Sequence, residues 1–181
     1  MKILISGGCK NGKSTYGESL AAKAGRPLYY IATMRPVDTE DTARIQAHQQ
    51  ARANMGFITI EQHTHIQDIL KPEILKSVKP SASHFLDSVT ALLANEMFDQ
   101  NYQPDPTAVA RICHGFGQIL AAVENIVIIS DYIYSDAIRY DPITEAYRKN
   151  LATIDRYLAQ RCDQVIEVVG SQIIYHKGVP Q

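Results

Sequence analysis

The chain has 181 residues, 45% apolar and 20% charged, a balance that can fill one hydrophobic core and excludes a disordered chain. A formal net charge of −1 supplies no general basic field, so binding to nucleic acid or to an anionic membrane surface is not expected, and any anion must be held by a local site. Cys9, Cys113 and Cys162 lie far apart with no C-x-x-C pair, which leaves neither a disulfide framework nor a cysteine zinc site. No apolar run approaches the ~18 residues of a membrane span, and a cytoplasmic protein with one domain over residues 1–181 is expected.

In chain order, a β-branched strand at Lys2–Ser6 leads to a helix at Lys13–Ala24, then a strand at Leu28–Thr33 and a helix at Asp38–Met55. Next come a strand at Phe57–Glu61, a helix at Ile66–Ser77, a strand at His84–Asp87 and a helix at Ser88–Phe98. The polar stretch Asp99–Pro106 reads as a surface loop. After it the pattern predicts a helix at Thr107–Val123, a strand at Ile126–Asp131, a helix at Pro142–Arg161 and a strand at Gln164–Val169. Asp38, Asp105 and Asp141 can cap helix starts, with Pro106 and Pro142 in the first turn. Strands alternating with helices imply an α/β fold: a doubly wound, mostly parallel sheet in three αβα layers, with the ligand outside the carboxyl ends of the strands.

Directly after the first strand, Gly7-Gly8-Cys9-Lys10-Asn11-Gly12-Lys13-Ser14 fits G-x-x-x-x-G-K-[ST] at every fixed position. Glycines let successive N–H groups turn toward an anion, and the helix opening at Gly12, Lys13, Ser14 and Thr15 favours the same charge. The expected fold is therefore P-loop NTPase-like, with Lys13 spanning the β- and γ-phosphates of GTP or ATP and the Ser14 hydroxyl on Mg²⁺. An acidic metal partner should end a neighbouring strand, and Asp87 and Asp131 are both candidates; a helix cap or an Asx-turn is the plainer role for either. Spacings of four set Arg44, His48 and Arg52 on one helical stripe. Two cations beside an imidazole could cradle a phosphate chain and disfavour its protonation, leaving a lone pair for attack at phosphorus; a solvated helix face is the plainer alternative.

Taken in order, the loop, Leu28-Tyr29-Tyr30-Ile31-Ala32-Thr33 and R-I-x-x-H-x-x-x-R at Arg44 to Arg52 resemble the bifunctional adenosylcobinamide kinase/adenosylcobinamide-phosphate guanylyltransferase family of cobalamin assembly. Two further elements continue the resemblance. Phe57-Ile58-Thr59-Ile60-Glu61 stands for its aromatic-x-T-x-E, and Leu86-Asp87-Ser88-Val89-Thr90 with Asn95 for its L-[DE]-x-x-T-x-x-x-x-N. The resemblance implies phosphorylation of adenosylcobinamide by a nucleoside triphosphate, then GMP transfer from GTP through a guanylylated histidine. By position it makes His48 the nucleophile and Asp87 the metal carboxylate, lets Arg44 and Arg52 steady the triphosphate, and adds Glu61 to the nucleotide-binding set. It also implies a homotrimer.

The resemblance weakens after Ile129. Where the family reads N-E-V-G-x-G-I-V-P the chain has Asp131-Tyr132-Ile133-Tyr134-Ser135-Asp136-Ala137-Ile138-Arg139, and of F-R-D-x-x-G-x-x-N-Q it keeps only Tyr147 and Arg148. Acceptance of adenosylcobinamide or its phosphate thus rests on a diverged segment. A P-loop kinase or nucleotidyltransferase for another small substrate, and a non-catalytic nucleotide-binding regulator, are the competing readings.

Overall fold

Alternation along the first strand sets the layers. Ile3 and Ile5 join Leu28, Tyr30, Phe85, Val127 and Ile129 in a cluster on one side of the sheet, while Leu4, Tyr29, Ile31, Leu86 and Ile128 point into a second cluster on the other. The protein is a computed structural model that describes residues 1–36, 39, 50, 52–74, 82–98, 104–134 and 136–179. Its strands are β1 (Lys2–Gly7), β2 (Leu28–Ala32), β3 (Phe57–Glu61), β4 (Ser83–Asp87), β5 (Asn125–Ile129), β6 (Gln164–Val169) and β7 (Gln172–Lys177). They form one sheet in the order β3-β2-β4-β5-β1-β6-β7, in which only the β6–β7 pairing is antiparallel.

Helix α1 (Lys13–Ala24) covers the first face, while α2 (Val89–Met97), α3 (Ala108–Ala122) and α4 (Pro142–Arg161) cover the second. Close approach of α1 depends on Gly17, because a Cβ there would sit 2.7 Å from Phe85 Cε2 and 2.9 Å from Ile129 Cδ1. Asp141 caps α4 by accepting from the Ile143 and Thr144 amides, with Pro142 as the first residue. Asp105 accepts from the Thr107 amide and hydroxyl just ahead of α3. Asp38 lies outside the described residues, as does most of the helix expected at Asp38–Met55. Positions 39, 50 and 52 are helical, and a 3₁₀ turn spans Ala53–Met55.

Three expectations need correction. The helix expected at Ile66–Ser77 is a 3₁₀ turn over Ile66–Leu70 that stops at Lys71, whose φ of −65° and ψ of 137° are extended. Pro72 follows, and proline pushes the residue before it out of the helical region. The strand expected to reach Asp131 ends at Ile129, because the Ser130 amide still donates to Ile5 O while the Asp131 amide turns to Thr90 Oγ1. Strand β7 was not anticipated. Gly170 and Ser171, with φ of 54° and 64°, make the two-residue turn that folds it back on β6. Among the described residues no helix is long and apolar enough to cross a membrane.

Candidate functional site

The carboxyl ends of β1, β4, β5 and β6 converge on the loop between β1 and α1. Gly12 sits at φ 90°, a conformation that glycine adopts without strain, and turns the chain into α1. The Asn11 side chain fastens the loop to the sheet: its Nδ2 donates to Val168 O of β6 and its Oδ1 accepts from the Lys13 amide at 3.2 Å. A Cβ on Gly7 would run into that same Asn11 side chain and into Val168 O, so a glycine is required there. Gly8, Cys9, Lys10 and Thr15 are exposed around the loop, and Ser14 is half-buried.

Lys13 is buried, with 8% of its side chain exposed. Its Nζ donates to Gly8 O at 3.1 Å and pairs with Asp131 Oδ1 at 2.6 Å. Asp87, at the end of β4, accepts from the Tyr30 hydroxyl at 3.0 Å and from the Ser14 hydroxyl. Burial pushes the Asp87 carboxyl up and Asp131 adds to this; the Tyr30 and Ser14 hydroxyls and the Lys13 ammonium pull it back. The two candidate acids are thereby divided by their partners: Asp131 faces the ammonium, while Asp87 faces the hydroxyl that a phosphate loop turns to its metal. A hydroxyl and a carboxylate in direct contact are hard oxygen donors of the kind Mg²⁺ takes. Asp87→Asn is accordingly expected to weaken Mg²⁺-dependent nucleotide binding about 10- to 100-fold, and Asp131→Asn much less. Titration of nucleotide affinity against Mg²⁺ decides, and the reverse order would reassign the metal to Asp131.

The other expected residues are placed less centrally. Arg44 and His48 lie outside the described residues. Arg52, 6% exposed, lays its guanidinium over the Tyr30 ring at 3.5 Å and pairs with Glu18 Oε1 at 3.6 Å. It is therefore turned toward β2 and α1. Glu61 ends β3 in register with Ala32, itself in register with Asp87, roughly 10 Å from Asp87 at ordinary strand spacing. Thr90 and Asn95 tie the strand ends together: Thr90 Oγ1 accepts from the Asp131 amide, and Asn95 Nδ2 donates to Thr33 O and His63 O. Among the described residues no group of three or more His, Cys, Asp and Glu could hold a metal by itself.

The sequence profile described as cobinamide kinase / cobinamide phosphate guanyltransferase matches residues 3–174. The chain belongs to this family. Its members are enzymes, and the membership makes this chain a transferase of cobalamin biosynthesis. Curated relatives named bifunctional adenosylcobalamin biosynthesis proteins come from three bacteria. The Salmonella typhimurium protein is 27% identical over 93% of this chain and 96% of its own length, and the Pseudomonas aeruginosa protein 25% identical over 99% of both. The Escherichia coli protein is 34% identical over 59% of this chain and 55% of its own length. Among solved structures, a Pyrococcus horikoshii OT3 protein aligns with a TM-score of 0.56 at 9% identity, covering 99% of this chain and 87% of that one. A solved ATPase domain aligns at 0.51 and 11% identity, covering 97% and 76%. These establish a P-loop NTPase-like α/β fold.

The segment after β5 is organised by Arg148. Arg148 donates Nε to Ile133 O at 3.0 Å, Nη1 to Glu145 Oε1 at 2.7 Å and Nη2 to Asp136 Oδ1 at 2.8 Å, and lies over the Tyr140 ring. Together with Tyr134, Ile138, Arg139 and Lys149 it lines a cleft of about 610 Å³. Behind the segment, buried Asp155 accepts from the Ser130 and Tyr134 hydroxyls at 3.0 and 2.9 Å, and its Oδ1 has no partner among the described residues.

Burial pushes the Asp155 carboxyl up to about 6, the two hydroxyls and the Asp131 charge modifying that rise. Because the folded protein then holds this proton more tightly than the unfolded chain, Asp155 stabilises below about pH 4 and loses that contribution as pH rises through about 6. Asp155→Asn removes the titration. The unfolding free energy of the variant minus that of the wild type should therefore grow by about 2–3 kcal/mol between pH 4 and 7.5, as measured by denaturant unfolding at each pH; parallel profiles would refute it.

Proposed function

We propose that the chain is an adenosylcobinamide kinase/adenosylcobinamide-phosphate guanylyltransferase that works through a guanylylated His48. The observation that carries the reading is the phosphate loop with Lys13 buried in it and Ser14 bonded to Asp87 at the carboxyl edge of the sheet, in a chain matched to that family over residues 3–174. In the kinase step, the loop amides and Lys13 would hold the β- and γ-phosphates of ATP or GTP while the aminopropanol hydroxyl oxygen of adenosylcobinamide attacks the γ-phosphorus; the bond to the β,γ-bridging oxygen breaks, the nucleoside diphosphate leaves with the electron pair, and the hydroxyl proton is lost to water. In the transfer step, an imidazole nitrogen of His48 would attack the α-phosphorus of GTP. A P–N bond forms, the bond to the bridging oxygen breaks, and pyrophosphate leaves with the electron pair. An oxygen of adenosylcobinamide phosphate then attacks the same phosphorus, the P–N bond breaks, and the histidine is regenerated.

Ser14 and Asp87 would hold Mg²⁺, which supplies charge neutralisation on the leaving phosphate oxygens. Lys13 and the loop amides would take the rest of that charge. Arg44, in the segment around His48, would add positive potential beside the nucleotide. Incubation with Mg²⁺ and α-labelled GTP is expected to put an acid-labile, base-stable label on the protein that adenosylcobinamide phosphate discharges. Tight GTP binding with no label would favour a non-catalytic nucleotide-binding protein. A label that only another acceptor discharges would keep the transfer chemistry and replace the substrate.

A further inference from the structure

Asp87 does not meet Ser14 alone, and the groups behind it form a chain that leads away from the nucleotide loop. Tyr30, on β2, donates its hydroxyl to Asp87 Oδ2 at 3.0 Å. The Tyr30 ring, 6% exposed, is met edge-on by Phe57 at 5.8 Å and at a tilt by Phe85 at 5.4 Å. Its free face is covered by the Arg52 guanidinium at 3.5 Å, and Arg52 is held in turn by Glu18, whose residue is 9% exposed. Glu18 lies one helical turn beyond Ser14 on α1, so the chain closes on the helix that carries the other metal-directed oxygen.

We infer that Tyr30 is a positioning residue for the metal site, holding Asp87 Oδ2 and with it the orientation of the carboxylate beside Ser14, and that the Glu18–Arg52 pair fixes Tyr30 for this task. The inference rests on the reading that Asp87 and Ser14 take Mg²⁺. A carboxylate with one oxygen tied to a rigid phenol has lost its χ2 freedom before the cation arrives, so less ordering remains to be done on binding. Glu18 also matters through charge. It neutralises a guanidinium that would otherwise stand one ring away from Asp87 and compete with the cation for its carboxylate. In this arrangement Arg52 serves Asp87 through Tyr30, and its guanidinium is not spent on the phosphates.

The test uses the affinity of the 181-residue protein for N-methylanthraniloyl-GTP, titrated with Mg²⁺ and compared with EDTA. Tyr30→Phe keeps the ring, its stacking and its volume and removes only the donor. It is expected to raise the Mg²⁺ concentration at half effect about tenfold, within the range that outer partners of metal ligands usually command, with affinity in EDTA unchanged. Glu18→Gln, which keeps the shape and removes the charge, is expected to move the same midpoint in the same direction. The double variant should shift it by less than the two single shifts combined, since the positioning effect of both passes through the Tyr30–Asp87 contact and only the charge of Arg52 adds to it. A wild-type Mg²⁺ midpoint in Tyr30→Phe overturns the inference, as does an equal loss of affinity in EDTA. Should Tyr30→Phe fail to fold, Glu18→Gln decides alone by the same two criteria. If the wild-type protein itself binds the nucleotide equally with and without Mg²⁺, the metal assignment has failed and this inference falls with it.

Discussion

His48→Ala is expected to abolish the covalent GMP adduct, a loss on the order of 10⁴-fold or more in the rate of label incorporation, while nucleotide binding stays near the wild-type level. The asymmetry follows from chemistry. No other side chain in the R-I-x-x-H-x-x-x-R segment, Arg44 to Arg52, is a competent nucleophile at neutral pH, because guanidinium groups have no free lone pair and the amides of Gln46, Gln49 and Gln50 are delocalised and weakly nucleophilic. The loop that would grip the triphosphate is built from β1 and α1 and is braced by Val168 and Asp131. The same variant should still phosphorylate adenosylcobinamide, because γ-phosphoryl transfer needs the loop, Lys13 and the Ser14–Asp87 pair and no covalent relay. Acid quenching, gel separation and counting of α-label check the first expectation, and phosphate transfer from γ-labelled ATP checks the second. Label persisting in His48→Ala would remove His48 from the nucleophile's place; loss of both activities with retained fold would show that the two halves share the histidine.

Much of the architecture could be read from sequence because it is set by local signals that tertiary packing had no reason to override. The helix expected at Pro142–Arg161 has a capping aspartate and a proline at its start, and the strand expected at Phe57–Glu61 is bounded by Gly56, whose φ is 76°. The failures have equally local causes. Helical spacing over Ile66–Ser77 continues past Pro72, which ends the turn, and Gln172–Lys177 carries as many polar residues as apolar ones, so its sequence does not mark a strand after the Gly170-Ser171 turn. As an edge strand with one exposed side, it needs no more than that.

The phosphate loop was legible for a different reason: backbone geometry dictates its glycines, lysine and serine at fixed spacing. Tyr30 and Glu18 were not, since their roles arise from sheet register and a helix turn. Tyr30 reads as an ordinary core aromatic two residues before the strand end, and only the parallel pairing of β2 with β4 brings its hydroxyl to Asp87. A four-residue step from Ser14 to Glu18 was the one available hint. The choice between Asp87 and Asp131 was likewise open to periodicity, and the two acids are told apart by what they touch.

Lys13→Ala is expected to lower kcat/KM for nucleotide-dependent phosphorylation by about 10³-fold or more. Two effects combine in that number. The ammonium that would span the β- and γ-phosphates is gone, and with it the charge that meets the transition state. In addition Asp131, whose carboxylate is 2.6 Å from Lys13 Nζ, is left facing the phosphates without a counter-charge. At about 5 Å and an effective dielectric of 20 such a repulsion amounts to roughly 3 kcal/mol. Adding Asp131→Asn to Lys13→Ala should therefore recover a large part of the lost nucleotide affinity, measured as Kd, and little of the lost turnover, measured as kcat. Lys13→Arg is not expected to rescue either, because a planar fork cannot enter the cradle made by Gly8 O and Asp131 around a single nitrogen. If the double variant bound nucleotide no better than Lys13→Ala, the Asp131 carboxylate would have to swing away from the loop once its partner is removed, and the loss of affinity would belong to the ammonium alone.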